Sequence, residues 1–236
     1  MFNLKNKTAL VAGGMGLIGS AVTDALRKQG ASTLTIDVKE GADFVFDITD
    51  RNLYDKLFEN MERCDVFVNM AYPAGIIPHM KAFYVSSLAM AKWMKTTSGG
   101  CIISASSIYG VVGSNPSLYD DTDMKTPAGY AFNKAGIIGL TRWIATNYGR
   151  YGVRANCICP GGVYNGQPDL FVRKYINRVP LRKEMEMWEK ENLGFQLPED
   201  HMVDLNSIAQ TVIYLACCQD ITGQAVVVDG GLCVSV

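Results

Sequence analysis

Short apolar runs alternate along the chain with longer stretches whose apolar residues recur at helical spacing. Thr8–Ala12 is an apolar run closed by glycines. Ser20–Gln29 then carries Val22, Ala25 and Leu26 on one side, and Gly30 stops it. Ser32–Asp37 reads as a second strand, Phe44–Phe46 as a short third, and Leu53–Glu62 as a helix. Asp65–Asn69 is a buried strand, Lys81–Lys95 a helix and Cys101–Ala105 a strand. The spacing of Ile137, Ile138, Leu140, Thr141 and Ile144 predicts a long helix over Tyr130–Tyr148. Val153–Ile158, the helix Ile208–Cys217 and the strand Ala225–Val228 complete the series ahead of Gly230 and Gly231. Strands that are apolar throughout are covered on both faces. Their strict alternation with helices predicts an α/β fold with a doubly wound parallel sheet, in a single domain spanning 1–236. Val163–Asp204 is the least regular stretch.

Composition agrees with this picture and narrows the partners. The 236 residues are 48% hydrophobic and 19% charged, which suits one globular domain with a sizeable core. A net charge of −1 leaves no basic footprint for nucleic acid or an anionic membrane. No apolar run is long enough to span a bilayer. Met1–Lys7 is polar and lacks a signal-peptide core, so a cytoplasmic protein is expected. Cys157, Cys159, Cys217, Cys218 and Cys233 lie in apolar contexts and read as reduced core residues. With His79 and His201 as the two histidines and no C-x-x-C pair, no metal site is expected.

The first strand ends in Gly13-Gly14-Met15-Gly16-Leu17-Ile18-Gly19, directly before a helix. Glycines at 13, 16 and 19 let backbone N–H groups approach a pyrophosphate, and the helix N-terminus adds partial positive charge. A glycine trio alone is a weak signal, and its place in the first βα unit strengthens it into a Rossmann-type dinucleotide site. Asp37 ends the second strand, where an acidic side chain accepts from ribose hydroxyls and repels a 2′-phosphate. NAD is therefore expected rather than NADP. Lys39 is the one nearby residue that opposes this, and a turn-capping role is the plainer alternative for Asp37.

Tyr130 and Lys134 stand at i and i+4, on one face of the long predicted helix. A phenol titrates near ~10, and a neighbouring ammonium is expected to lower that value so that the tyrosine can exchange a proton with an alcohol or carbonyl oxygen. Ser106 and Ser107, just past a buried strand, are candidates for steadying the same oxygen. By itself such a pair is an ordinary solvated helix face. The glycine loop and the serines are what make it a candidate site.

Together these pieces resemble the short-chain dehydrogenase/reductase family over nearly the whole chain. The likeness rests on the Gly13/Gly16/Gly19 loop, Asp47-Ile48, Asn69-Met70-Ala71, Ser106-Ser107, Tyr130–Lys134, Arg154-Ala155-Asn156, Pro160-Gly161-Gly162 and Thr222-Gly223-Gln224 with Asp229-Gly230-Gly231. The resemblance implies that Ser107 orients the substrate oxygen, Tyr130 is the acid/base, and Lys134 binds ribose and tunes Tyr130. Ser106 is the less favoured serine. It also implies that Met15, Leu17 and Ile18 join the glycines around the cofactor. Asp47 and Ile48 would flank the adenine, Asn69, Met70 and Ala71 would line the cofactor, and Pro160, Gly161 and Val163 would cover the nicotinamide.

Three departures accompany the likeness. The family's N-N-A-G reads Asn69-Met70-Ala71-Tyr72 here. The stretch between Ala71 and Cys101 is short and lacks the family's relay asparagine, with Lys81 or a neighbour in its place. An ammonium donates but does not accept, so Lys81 is no simple substitute. Extra residues between Ser107 and Tyr130 carry Asp120, Asp121 and Asp123, and read either as a solvated acidic loop or as a substrate-facing one.

That insertion, from Ser107-Ile108-Tyr109-Gly110 through Tyr119 and Thr122-Asp123-Met124, resembles oxidoreductases of flagellin-modification and surface-sugar pathways. Asn165-Gly166-Gln167-Pro168, Phe171-Val172 and Val179-Pro180-Leu181 point the same way. The expected function is hydride transfer between NAD(H) and a secondary alcohol or ketone, on a nucleotide-activated or modified sugar. One alternative is a 3-oxoacyl-type or general ketone reductase, for which Arg173, Lys174, Arg178, Arg182 and Lys183 would form a patch for an acidic carrier. Another is a catalytically weak nucleotide-binding scaffold. A substrate lid is expected near 164–204, with Met185, Met187, Trp188 and Phe195 packing on substrate, on their own helix or on a partner. By resemblance, the Tyr130 helix and Val226–Val236 would build a homodimer or homotetramer.

Overall fold

The computed structural model describes residues 2–181 and 202–235. Arg182, Lys183, Met185, Met187, Trp188, Phe195 and His201, and with them much of the expected lid, lie outside the described residues. The sheet has seven parallel strands: β1 (Thr8–Ala12), β2 (Ser32–Asp37), β3 (Phe44–Val45), β4 (Val66–Asn69), β5 (Gly100–Ala105), β6 (Val153–Pro160) and β7 (Ala225–Val228). Their order is β3-β2-β1-β4-β5-β6-β7. The direction of winding reverses between β1 and β4, which leaves a crevice at the carboxyl ends of these strands.

Alternation along each strand explains why both faces are apolar. Ala9 and Val11 of β1, Val66 and Val68 of β4, and Cys101 and Ile103 of β5 face one core. That core is closed by Val22 and Leu26 of α1 (Leu17–Lys28) and by Ile208 and Val212 of α6 (Leu205–Cys217). Leu10, Phe67 and Ile102 face the other. It is closed by Leu57 of α2 (Asn52–Glu59), Met90 and Met94 of α3 (Ile76–Thr96), and Ile144 of α4 (Ala128–Tyr148). No described helix is long and apolar enough to cross a membrane. All seven cysteines are free.

Arg154 shows how the β6 motif serves the fold. Its guanidinium donates to the carbonyls of Leu215, Ala216 and Ile221 at 2.8–3.0 Å, holding the end of α6 against β6. Asn156 donates to the Ile221 carbonyl and accepts from Gln224 N–H, fixing the turn into β7.

Three elements differ from the pattern-based reading. α1 begins at Leu17 rather than Ser20, because Gly16 is extended and leads straight into the helix. α3 begins at Ile76 rather than Lys81. Its first turns expose Ile76, Ile77 and Met80, which spoils the amphipathic pattern, and Pro78 is tolerated there because a first-turn residue needs no N–H partner. A further helix, α5 (Asp169–Ile176), stands inside the irregular stretch, with Phe171 and Tyr175 buried one turn apart.

Candidate active site

The crevice begins at the end of β1. Gly13 adopts φ +74°, and a Cβ there would lie 2.7 Å from the Ala71 nitrogen and the Met70 carbonyl carbon. A side chain on Gly19 would run into the Gly13 carbonyl oxygen. The loop closes by a Gly16 N–H to Gly13 oxygen bond of 3.0 Å. α1 then starts with no side-chain cap and no acid in its first turn. Its first N–H groups thus keep their partial positive charge at the cleft, where Gly16, Leu17 and Ile18 form the wall.

Asp37, the last residue of β2, also lines the cleft. Its carboxylate accepts from the Met15 and Lys39 N–H groups at 3.0 and 3.2 Å. Lys39 Nζ lies 3.4 Å from the Met15 carbonyl oxygen. Asp37 therefore has the turn-capping role that was its plainer alternative and still faces the cavity. Met15, expected among the cofactor residues, does not line the cavity: its N–H is taken by Asp37 and its side chain is exposed. Asp47 and Ile48 continue the wall, as do Met70 and Ala71. Asn69 is fully buried instead: it donates to Ser86 Oγ at 2.7 Å and accepts from Ala71 N–H at 3.1 Å. It shapes the cleft from behind and does not line it, which corrects the expectation from the motif.

At the other end α4 presents Tyr130 and Lys134 to the same cavity. Lys134 is buried, and its Nζ donates to the Ala105 carbonyl at 2.9 Å. Loss of hydration lowers its pKa from 10.5 to about 7. Burial also raises Tyr130 above the ordinary phenol value, with a hydrogen bond from Ser107 working in the opposite direction. The expected lowering of Tyr130 by Lys134 does not appear: burial raises the phenol, and the group acting in the opposite direction is Ser107 rather than the ammonium. Ser107 lines the cavity, and its hydroxyl accepts from Tyr109 N–H at 3.2 Å. Ser106 Oγ donates to the Lys134 carbonyl at 2.7 Å and pins α4 to the end of β5.

Pro160, Gly161 and Val163 close the roof. Gly161 N–H bonds the Val228 carbonyl, and Gly162 N–H donates to Tyr175 Oη at 2.6 Å, which fastens the roof to α5. The whole cavity has a volume of about 690 Å³, inside the ~300–1,000 Å³ range of small-molecule sites.

Several neighbours of the pair carried no site role in the sequence reading. Tyr72 and Tyr109 flank the Tyr130 ring edge to face, at centroid distances of 6.1 and 6.3 Å. His79 and Asn133 are buried beside Lys134, and Asn165 and Gln167 line the mouth. Asn133 is the one a helical wheel could have found, three residues from Tyr130. Lys81 is exposed and lies off the cleft wall.

The insertion divides between the two readings offered for it. Asp120, Asp121 and Asp123 are exposed. Beneath them Tyr119 packs on Phe171 of α5 at 5.4 Å and shares a 2.7 Å hydrogen bond with Tyr109. Arg178 donates to Ser117 Oγ at 2.6 Å, and Lys174 bonds the Asp120 carbonyl and lies 3.7 Å from Asp121.

Residues 8–233 match the family model described as enoyl-(acyl carrier protein) reductase. The post-translational flagellin modification protein A of Campylobacter coli is 27% identical over 97% of this chain and 98% of its own length. A 3-oxoacyl-(acyl-carrier-protein) reductase of Thermotoga maritima is 25% identical over 97% of the chain and 98% of its own. Among solved structures, a short-chain dehydrogenase from Leptospira borgpetersenii with bound NAD+ superposes with TM-score 0.83 at 24% identity, covering 98% of this chain and 94% of that one. A gluconate 5-dehydrogenase from Burkholderia cenocepacia, in complex with NADP and tartrate, gives 0.77 at 21%, covering 100% and 98%.

Proposed function

We propose, for a chain that belongs to the short-chain dehydrogenase/reductase family, reversible hydride transfer between NAD(H) and a secondary alcohol or ketone carried on a sugar. Membership makes the protein an oxidoreductase acting on CH–OH groups with a nicotinamide cofactor. One observation carries the reading: the glycine loop and Asp37 stand at one end of a continuous cavity, and Ser107, Tyr130 and Lys134 at the other.

The residues present fit a dinucleotide. Gly13 and Gly19 leave no room for side chains, and the uncapped start of α1 provides N–H groups for a pyrophosphate. Gly13, Gly16, Leu17 and Ile18 would hold the phosphates, Asp37 a ribose, Asp47 and Ile48 the adenine, and Pro160, Gly161 and Val163 the nicotinamide end. When bound, the cofactor supplies or accepts the hydride. The Asp37 carboxylate disfavours a 2′-phosphate, which supports NAD, and Lys39 is the residue that opposes this.

Ser107 and Tyr130 hold the substrate oxygen between two hydroxyls. In reduction Tyr130 gives its proton to the carbonyl oxygen as the alcohol forms, and in oxidation it takes the hydroxyl proton. Its raised pKa keeps the phenol protonated at neutral pH, which suits the reductive direction. Lys134 would bind a ribose of the cofactor and neutralise the phenolate that reduction leaves.

The sugar assignment rests on the likeness to the flagellin modification protein and on the mouth of the cavity. Asn165 there is a neutral hydrogen-bonding group suited to hydroxyls, while the Gln167 amide is engaged within the loop by the Asn165 N–H and the Val163 carbonyl. The 3-oxoacyl reading keeps the support of the family description and of the Thermotoga relative. Of its basic patch, Lys174 and Arg178 are already engaged by the insertion, and Arg173 is exposed. Ser107, Tyr130 and Lys134 around one cavity argue against a scaffold without turnover. Exposed Phe132 and Trp143 on α4 and Tyr84 on α3 support a homo-oligomer built on this face. Residues 164–181, with α5 bonded to the roof, and 202–204 are the described parts of the proposed substrate lid.

A thermal-shift screen tests the substrate reading. NADH together with a nucleotide sugar should stabilise the protein beyond NADH alone. Stabilisation by acyl thioesters and by no sugar would overturn it.

A further inference from the structure

Two of the departures from the family pattern meet in space. Tyr72 and His79 stack edge to face with 4.6 Å between ring centroids, and His79 packs on Phe83 at 5.2 Å. Lys134 Nζ lies 5.5 Å from the centroids of both Tyr72 and Phe83. The imidazole is buried, and its Nδ1 lies 3.4 Å from Asn133 Nδ2, whose other hydrogen goes to the Ile76 carbonyl at 2.8 Å. An amide nitrogen only donates, so Nδ1 is the acceptor and Nε2 carries the hydrogen. That assignment follows from the hydrogen-bond pattern. Neither Nε2 nor Asn133 Oδ1 has a protein partner. A buried polar atom without a partner costs ~1–3 kcal/mol, so packing alone does not account for a histidine here.

We propose that Tyr72, His79 and Phe83 form a stacked aromatic cap that seals Lys134 from water on its α3 side. His79, pinned by Asn133, is the positioning residue that holds the cap in place. The remaining groups against Lys134 are the Ala105 carbonyl on β5, Tyr130 on its own helix and Cys159 on β6. None of these is a carboxylate. The imidazole adds no charge at neutral pH, because burial and the nearby ammonium push its pKa down to about 4. Sealing keeps the lysine's proton exchange within the working pH range, since desolvation is what lowers its pKa to about 7. Asn133 also ties the first turn of α3 to α4, where Ile76 occupies the space that a side chain on Gly129 would need.

The inference rests on Tyr130 and Lys134 being the catalytic pair, and its test needs no substrate. The nicotinamide is cationic in NAD+ and neutral in NADH, so a protonated Lys134 favours NADH. The ratio of the two dissociation constants, measured by fluorescence and calorimetry, should inflect near pH 7 in the wild type and be flat in Lys134→Met. Tyr72→Gly, which removes a ring that is 62% exposed, and His79→Ala should each move the inflection up by about one pH unit or more. His79→Phe keeps the ring but loses the bond from Asn133, so it should move the inflection less than His79→Ala does. An inflection unmoved in folded Tyr72→Gly and His79→Ala, or moved as far by His79→Phe, overturns the proposal. If neither cofactor binds, the functional reading fails while ¹⁵N spectra still decide the cap. The spectra contain two histidines. His79 should hold the Nε2–H tautomer from pH 5 to pH 8, and titration as a free imidazole near ~6.5 would overturn the cap.

Discussion

Lys134→Met should make the protein more stable while abolishing its chemistry. A lysine whose pKa falls from 10.5 to about 7 on folding is a buried cation that the fold tolerates at a loss. At ~1.4 kcal/mol per pKa unit, that difference corresponds to ~5 kcal/mol when both states are protonated. Methionine has a similar length and no charge, but it forfeits the bond to the Ala105 carbonyl, worth ~1.5–3 kcal/mol. The net gain is ~2 kcal/mol, or ~4–8 °C in melting temperature for a domain of this size. The pH dependence identifies the cause. Below pH 7 the lysine is protonated folded and unfolded, and the penalty is complete. Between pH 7 and 10.5 the folded chain has released the proton that the unfolded chain still binds, so wild-type stability rises with pH. The advantage of Lys134→Met should therefore be largest at pH 6.5 and fade toward pH 10. Denaturant unfolding of both proteins at four or five pH values reads it directly. A variant less stable than wild type at pH 6.5, or an advantage that does not shrink with pH, would refute the reasoning.

Gly13→Ala should lose stability by ~1–2 kcal/mol for the left-handed backbone and a further ~1–3 kcal/mol for the clash with Ala71, with NADH affinity falling alongside; urea titration and fluorescence check both. Asp37→Ser removes the carboxylate that repels a 2′-phosphate, so the NADPH-to-NADH affinity ratio should rise by about tenfold or more, which calorimetry reads. An unchanged ratio would assign Asp37 to the turn alone.

The central strands β1, β4, β5 and β6 were legible because both of their faces are buried, which favours apolar runs. The glycine loop was legible because its constraint is local: Gly13 must be left-handed and must let Ala71 approach. The start of α3 was hidden by Pro78 and by apolar residues that face outward. α5 is too short for its two buried aromatics to show a period. Spacing placed Tyr130 beside Lys134 but did not show that Lys134 is buried and Tyr130 half-buried. Burial, which spacing does not reveal, is what raises the tyrosine above the ordinary phenol value. The contact of Tyr72 and His79 with Lys134 depends on how α3 packs against α4, and no stretch of sequence contains that information. Asn69 carried a family motif into a position that serves the wall's shape rather than its surface.

The most direct test of the account is NAD-linked turnover by wild type and Tyr130→Phe, over a panel of sugar and simple secondary alcohols, with NADH affinity measured in parallel. Tyr130→Phe should bind NADH as the wild type does and lose turnover by about a hundredfold or more, the usual worth of a positioned acid/base. Turnover that survives the substitution unchanged would contradict the assignment of Tyr130 as the proton-exchanging group.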